Sequence, residues 1–109
     1  MKTINGQQLK QQLDAGHALV VVEALPKAYY QKGHIPGAAS LPLDELNQRA
    51  AALIPELDAQ VVVYCASATC ENSHFAAKRL TDLGYQNVAV YPGGKADWQE
   101  LGYPLEQSV

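Results

Sequence analysis

Two cysteines lie five positions apart in a segment where a thiol can do chemistry. Cys65 directly follows the apolar run 61–64, which predicts a buried strand. A loop of small and polar residues comes next, and a helical pattern follows it. The loop residues are Ala66, Ser67, Ala68, Thr69, Cys70, Glu71, Asn72 and Ser73. Backbone N–H groups of such a loop and of the following helix are expected to lower the pKa of Cys65, so that its thiolate acts as a nucleophile.

Cys70, in the same loop, has three interpretations. It can be a resolving thiol that attacks an oxidised form of Cys65 and leaves a disulfide. It can be a second small thiol that only packs, or it can itself be the primary nucleophile. The position of Cys65 at the end of a strand favours Cys65 as the nucleophile.

The elements that position these cysteines alternate between strands and helices. Apolar, β-branched runs predict strands at 19–22, 61–64 and 88–90, and a short strand at 40–41. Helical patterns follow Asn5, cover 44–53, and begin again after Ser73 and after Gly93. Asn5 and Ser73 are predicted to be N-caps. This alternation predicts an α/β fold with a small, mainly parallel sheet and helices on both faces. Ligands of such sheets bind at the carboxyl ends of strands, where Cys65 lies.

Length and composition predict one domain and exclude several classes of protein. A chain of 109 residues with 48% apolar content can form one core but not two, so 1–109 is predicted to be a single domain. Eight basic and eleven acidic residues give a net charge of −3, with no basic stripe, so no nucleic acid partner is expected. Neither a signal region nor a segment of membrane-spanning length is present, so we expect a cytoplasmic protein with no membrane partner.

The histidines near the loops do not predict a metal site. His74 follows Cys70 in the sequence, but scattered ligands without a Cys-x-x-Cys pair fall short of a structural zinc pattern, and no metal is expected. His34 lies in the glycine- and proline-rich segment 33–37. There we favour a structural role, bracing a turn through hydrogen bonds, over a role as general base.

Three segments together resemble the rhodanese-like superfamily. Residues 30–38 are similar to its Tyr-x-x-Gly-His-Ile-Pro-Gly-Ala signature, and residues 62–65 resemble its active-site strand. Residues 93–105 are similar to its closing Gly-Gly-x-x-x-Trp-x-x-x-Gly-x-Pro stretch. The order of the three segments around Cys65 makes the resemblance specific. It implies a rhodanese-like α/β fold in which Cys65 accepts sulfane sulfur as a persulfide, with no cofactor.

The chain departs from this family pattern at two places. Many members have Asp-x-Arg after the first core strand, whereas this chain has Glu23, Ala24 and Leu25, so the arginine is missing. The loop after Cys65 is about two residues longer than in many members. Glu71 is the only charged residue of that loop, so a thiosulfate dianion would meet only backbone dipoles. A persulfide delivered by a low-molecular-weight thiol or by a donor protein is therefore favoured as the sulfur donor.

Three classes of function follow from these residues. The leading one is a single-domain sulfurtransferase that takes sulfane sulfur onto Cys65 and passes it to a thiophilic acceptor. Its partners would be a small sulfur donor or a protein that carries a persulfide or a thiol. The alternative is a non-catalytic persulfide carrier or redox-sensing interaction module with a Cys65/Cys70 thiol pair. Phosphatase or arsenate-reductase chemistry needs Cys-x-x-x-x-x-Arg, but the sixth residue after Cys65 is Glu71 and the sixth after Cys70 is Ala76, so this class lacks its cation.

Overall fold

The computed structural model describes residues 2–107 and contains a five-stranded sheet in which every pairing is parallel. The strands are β1 (Lys2–Thr3), β2 (Leu19–Glu23), β3 (Ala39–Ser40), β4 (Gln60–Tyr64) and β5 (Asn87–Tyr91). Their order across the sheet is β1-β5-β4-β2-β3, so β4 lies in the centre. The predicted α/β fold is therefore confirmed.

Within residues 2–107, five α-helices connect and cover these strands. They are α1 (Gly6–Asp14), α2 (Lys27–Lys32), α3 (Leu46–Leu53), α4 (Asn72–Asp82) and α5 (Gly94–Glu100). Helices α3 and α4 pack on one face of the sheet, where Leu46 and Leu80 are fully buried. Helices α1 and α5 pack on the other face through Leu9 and Trp98. Helices thus cover both faces, as predicted. No helix within residues 2–107 is long and apolar enough to span a lipid bilayer.

Residues 61–64 of the central strand β4 are buried between the two helical layers, which explains their uninterrupted apolar sequence. Val61 and Val63 point into the core formed with α3 and α4. Val62 and Tyr64 point into the opposite core with α1 and α5. Because side chains of a strand alternate between faces, a strand between two helical layers needs an apolar residue at every position. Burial on both sides fixes the carboxyl end of β4 and hence the position of Cys65.

Most element boundaries agree with the sequence prediction, and the differences have local causes. Asn5 caps α1 with a full capping box, in which its side chain accepts from Gln8 N–H at 2.8 Å and its own N–H donates to the Gln8 side chain. The helix predicted over 44–53 begins as a 3₁₀ turn, Leu43–Glu45, before α3. Helix α2 was not predicted, because none of its residues is buried and it has no apolar stripe to detect.

Candidate active site

Cys65 lies directly after β4, at the carboxyl end of the central strand, and only 1% of its surface is exposed. Its thiol donates to the carbonyl oxygen of Cys70 at 3.3 Å and to Oγ of Ser73 at 3.5 Å. The loop that follows Cys65 therefore folds back over the end of the strand. The sulfur is enclosed by its own loop and by the first turn of α4.

Ser73 was predicted to be the N-cap of α4, and that prediction is wrong. Helix α4 begins at Asn72, and the capping position is Glu71, whose side chain makes no capping hydrogen bond. Ser73 is instead buried inside the first turn, where its hydroxyl and its backbone N–H both interact with the sulfur of Cys65. The helix thus starts two residues earlier than predicted, and the Ser73 hydroxyl meets the thiol instead of capping the helix. This contact gives Ser73 a place in the site.

The pKa values of the two cysteines shift in opposite directions. Burial raises the pKa of Cys65, the neighbouring Cys70 thiol raises it further, and the contacts with Ser73 only partly oppose this. The expectation of a lowered pKa at Cys65 is therefore wrong. Burial also acts to raise the pKa of Cys70, but hydrogen bonds from Cys65 and from the backbone N–H groups of Ala66 and Asn72 outweigh it, so that pKa is lowered. The loop thus stabilises the thiolate of Cys70 in this form of the chain.

A turn in the loop brings Cys70 close to Cys65. The N–H of Cys70 donates to the carbonyl oxygen of Ser67 at 3.1 Å, which closes the segment 67–70 on itself. Ala68 and Thr69 are exposed at the tip of this turn. The structure therefore brings Cys65, Cys70 and Ser73 together and leaves the middle of the predicted loop facing solvent.

Two further loop residues anchor the segment or border it. The side-chain amide of Asn72 donates to the carbonyl oxygen of Ala24 at 3.1 Å, which ties the start of α4 to the end of β2. Glu71 is exposed. No lysine or arginine hydrogen-bonds to loop residues 66–73 in the part of the chain that the structure describes, 2–107. The surroundings of the thiols are thus neutral to acidic.

The beginning of α5 holds the base of the cysteine loop. The N–H of Lys95 donates to the carbonyl oxygen of Cys65 at 3.0 Å, and that of Ala96 donates to Ala66 at 2.9 Å. Gly94 makes this approach possible, because a Cβ there would lie 2.3 Å from the Cys65 oxygen and because its φ of +63° suits glycine. Sequence reasoning did not assign this role to the Gly-Gly pair, although adjacent glycines are a signal of close backbone approach.

A family comparison decides what kind of domain holds this cysteine. The family model described as Rhodanese-like domain matches residues 5–101. The chain belongs to the rhodanese-like family. That match includes the strand-end cysteine, its loop and the whole of α5.

Relatives of this rhodanese-like chain include longer proteins of different kinds. A transcriptional regulator of the helix-turn-helix type from Mycobacterium tuberculosis is 33% identical over 94% of this chain and 43% of its own length. A protein of Bacillus subtilis that is named as a sulfur carrier is 28% identical over 87% of this chain and 49% of its own length. The chain thus spans less than half of each of these relatives.

A solved structure shows the same fold as this rhodanese-like chain. The crystal structure of a thiosulfate sulfurtransferase from Pseudomonas aeruginosa superposes with a TM-score of 0.88 and 29% identity. It covers 100% of this chain, which corresponds to 21% of that protein. The rhodanese-like architecture is therefore matched over the full length of the chain.

The family resemblance places an arginine at Leu25, but the cation found at the end of β2 comes from α5. Nζ of Lys95 lies 3.3 Å from Oε2 of Glu23, whose side chain is fully buried at the end of β2. The other carboxylate oxygen of Glu23 accepts from the hydroxyl of Tyr64 at 2.9 Å. Burial raises the pKa of Glu23, while Tyr64 and Lys95 act to lower it. The ammonium group is directed at Glu23 and not at the cysteine loop.

The rhodanese-like segment 30–38 is braced by His34, as predicted. His34 is buried, its Nδ1 lies 3.0 Å from the carbonyl oxygen of Tyr30, and the two rings are stacked at 3.8 Å. Backbone hydrogen bonds of 2.8 Å run in both directions between His34 and Glu106. These contacts occupy His34 in structure and place it outside the thiol site.

Proposed function

We propose that this chain is a sulfurtransferase domain in which Cys65 accepts a sulfane sulfur as a persulfide and passes it to a thiophilic acceptor. One observation carries the proposal: the Cys65 thiol stands at the carboxyl end of the central strand, against the hydroxyl and N–H of Ser73, in a chain of the rhodanese-like family. The likeness to a structure named as a thiosulfate sulfurtransferase supports the same assignment.

The transfer needs a thiolate at Cys65, and the neighbouring thiol offers a route to it. The first proton lost by the pair leaves mainly from Cys70, because the pKa of Cys70 is lowered and that of Cys65 is raised. The proton of Cys65 can then move to the thiolate of the neighbouring Cys70. The Ser73 N–H and hydroxyl stabilise the negative charge that this leaves on Cys65.

The reaction then proceeds in two displacements. The Cys65 thiolate attacks the outer sulfur of the donor, the donor's S–S bond breaks, and its electron pair leaves with the inner sulfur as a thiolate. Cys65 now carries the outer sulfur as a persulfide. An acceptor, either cyanide or a thiol, attacks that outer sulfur, forms thiocyanate or a new persulfide, and returns Cys65 as the thiolate. No net oxidation or reduction of the protein occurs.

The charges around the loop favour a persulfide over thiosulfate as the donor. Glu71 is the charged residue of the loop, and the nearby ammonium of Lys95 is bound to Glu23 and to the carbonyl oxygens of Tyr29 and Gly33. A doubly negative donor would therefore approach an acidic side chain, and no lysine or arginine side chain within residues 2–107 is hydrogen-bonded to the loop to receive it. A persulfide of a small thiol, or of a protein, carries less charge at its reacting end.

A turnover assay tests the proposal. Thiocyanate formation from cyanide is measured with glutathione persulfide and, separately, with thiosulfate, for the wild-type chain and for Cys65→Ser. We expect many turnovers with the persulfide, fewer with thiosulfate, and none above the buffer rate for Cys65→Ser. A Cys65→Ser variant as active as wild type would contradict the proposal.

A persulfide carrier is the second candidate, and the burial of Cys65 favours it. A sulfur held on a side chain with 1% exposure is shielded from small acceptors and is suited to delivery to a docked protein. The relative that is named as a sulfur carrier supports this candidate. In the same assay, a carrier would load one sulfur and form at most one thiocyanate per chain.

A further inference from the structure

The folded loop places Cys70 next to Cys65. The Cys65 thiol donates to the carbonyl oxygen of Cys70 at 3.3 Å. Cys70 is half-buried, whereas Cys65 is buried. The loop therefore holds a second thiol, more accessible than the first, beside the strand-end cysteine.

A turn within the loop also keeps the two cysteines close. The turn that joins Cys70 N–H to Ser67 O at 3.1 Å directs the chain back toward the strand end. Sγ of Cys65 lies 3.3 Å from the carbonyl oxygen of Cys70. The intervening residues are small, and the turn tip at Ala68 and Thr69 is exposed and free to adjust. Both cysteines are free thiols in this structure, so both are available for reaction.

We propose that the domain has a second activity, the release of hydrosulfide from a persulfide, in which Cys70 resolves the sulfur carried by Cys65. This inference rests on the proposed function, because Cys65 must first be loaded. The Cys70 thiolate attacks the inner sulfur, Sγ of Cys65. The bond between the two sulfurs of the persulfide breaks, and the outer sulfur leaves as hydrosulfide with the bonding electron pair.

The products balance as a two-electron exchange. The sulfane sulfur is reduced to sulfide, and the two cysteine thiols are oxidised to a Cys65–Cys70 disulfide. Two molecules of a low-molecular-weight thiol such as glutathione then reduce this disulfide by thiol–disulfide exchange, and they leave as their own disulfide. The chemical class of substrate is a low-molecular-weight persulfide, with small thiols as the reductant. The activity would turn the domain from a donor of sulfane sulfur into a source of sulfide.

The competing path is attack by Cys70 on the outer sulfur, which only moves the persulfide from one cysteine to the other. The two paths give chains of different mass. Attack on the inner sulfur leaves a disulfide, so the chain is two hydrogens lighter than the free dithiol. Attack on the outer sulfur leaves the added sulfur on the chain. The resting geometry favours attack on the inner sulfur, because Sγ of Cys65 already lies against Cys70, 3.3 Å from its carbonyl oxygen.

The test compares the wild-type chain with Cys70→Ser and Cys70→Ala after one equivalent of glutathione persulfide. Released sulfide is quantified, and the chain is analysed by non-reducing mass spectrometry with peptide mapping. We expect wild type to release sulfide and to contain a Cys65–Cys70 disulfide. Both variants should keep the added sulfur on Cys65 and lose sulfide release to the level of the buffer. Circular dichroism checks that each variant is folded.

Failure of this inference and failure of the proposed function give different results. If Cys70→Ser carries sulfur on Cys65 while wild type forms no disulfide and releases no sulfide, the sulfide-releasing activity is contradicted and the transfer function stands. Sulfide release by Cys70→Ser at the wild-type rate would also contradict the sulfide-releasing role of Cys70. If neither chain gains sulfur on Cys65 and neither releases sulfide, both proposals fall.

Discussion

Lys95 joins the end of one strand to the loop that follows another. Its ammonium group lies 3.3 Å from the buried carboxylate of Glu23, at the end of β2. The N–H of the same residue donates to the carbonyl oxygen of Cys65 at 3.0 Å. A single residue of α5 thus neutralises a buried charge and holds the base of the cysteine loop. The stability of the chain and the position of its thiol are therefore linked.

Replacement of Lys95 by methionine should strongly destabilise the chain. The change leaves the carboxylate of Glu23 buried without its cation, and loss of one partner of a buried pair costs about 3–5 kcal/mol. Urea denaturation measures the free energy of unfolding. Lys78→Met is the matched control, because Lys78 pairs with Asp82 on the exposed surface of α4 and should contribute under about 1 kcal/mol.

The double variant Glu23→Gln, Lys95→Met should recover a large part of the loss, since it removes both buried charges together. A contrary result is a double variant that loses as much free energy of unfolding as Glu23→Gln and Lys95→Met lose separately, added together. That result would show that the charge pair is not the cause.

The cost of losing Lys95 should depend on pH. Burial raises the pKa of Glu23 above its usual 4.5, and Lys95 opposes that rise. A carboxyl with a raised folded-state pKa binds its proton more tightly in the folded chain. The stability that this tighter proton binding contributes is fully present below pH 4.5, and it is lost as the pH rises through the folded-state pKa. Without Lys95 that pKa rises further, so the gap in stability between wild type and Lys95→Met should widen from about pH 4 to about pH 8. A gap that stays constant across this range contradicts the assignment.

Much of this fold follows from sequence patterns, because the layers of the sheet leave a regular signal. Apolar runs such as 61–64 predict strands buried on both faces, and Asn5 is a recognisable N-cap. The sequence also places Cys65 at a strand end. Helix α2 was missed since it buries no residue and has no apolar stripe.

The contacts of the site were harder to predict than its residues. The buried pair of Glu23 and Lys95 joins positions 72 residues apart, so no local pattern contains it. The pKa of Cys65 was predicted in the wrong direction, because burial by its own loop depends on how the turn at Ser67 folds back. Long-range contacts and desolvation are properties of the folded chain and leave no periodic signal in the sequence.

Gly94→Ala should impair both stability and sulfur transfer. A Cβ at this position would lie 2.3 Å from the carbonyl oxygen of Cys65, so α5 or the base of the loop must move. Gly102→Ala is the matched control, because Gly102 also has a positive φ, +84°, but no atom within 4 Å of an added Cβ. Both variants should lose about 1–2 kcal/mol to backbone strain. Only Gly94→Ala should lose further stability and load sulfur onto Cys65 more slowly. Equal loading rates in Gly94→Ala and Gly102→Ala would contradict the role of α5 in holding the loop.

Ser73→Ala should move the reaction of Cys65 to higher pH. The Ser73 hydroxyl acts to lower the pKa of Cys65, so its removal raises that pKa further and reduces the thiolate at neutral pH. The rate of sulfur loading is measured against pH, and its profile should shift upward. Thr81→Val is a suitable control, because the Thr81 hydroxyl lies on the same helix and donates to Ala77 at 2.9 Å. A Ser73→Ala profile that overlays wild type would remove Ser73 from the site.

The central claim is that Cys65 carries sulfane sulfur, and the mass of the Cys65 peptide tests it most directly. Cys70→Ser is incubated with glutathione persulfide, the remaining thiols are blocked, and the chain is digested and mapped by mass spectrometry. The account predicts that the peptide containing Cys65 gains the mass of one sulfur atom and that cyanide removes it. A Cys65 peptide of unchanged mass, in a chain shown to be folded, would contradict the account.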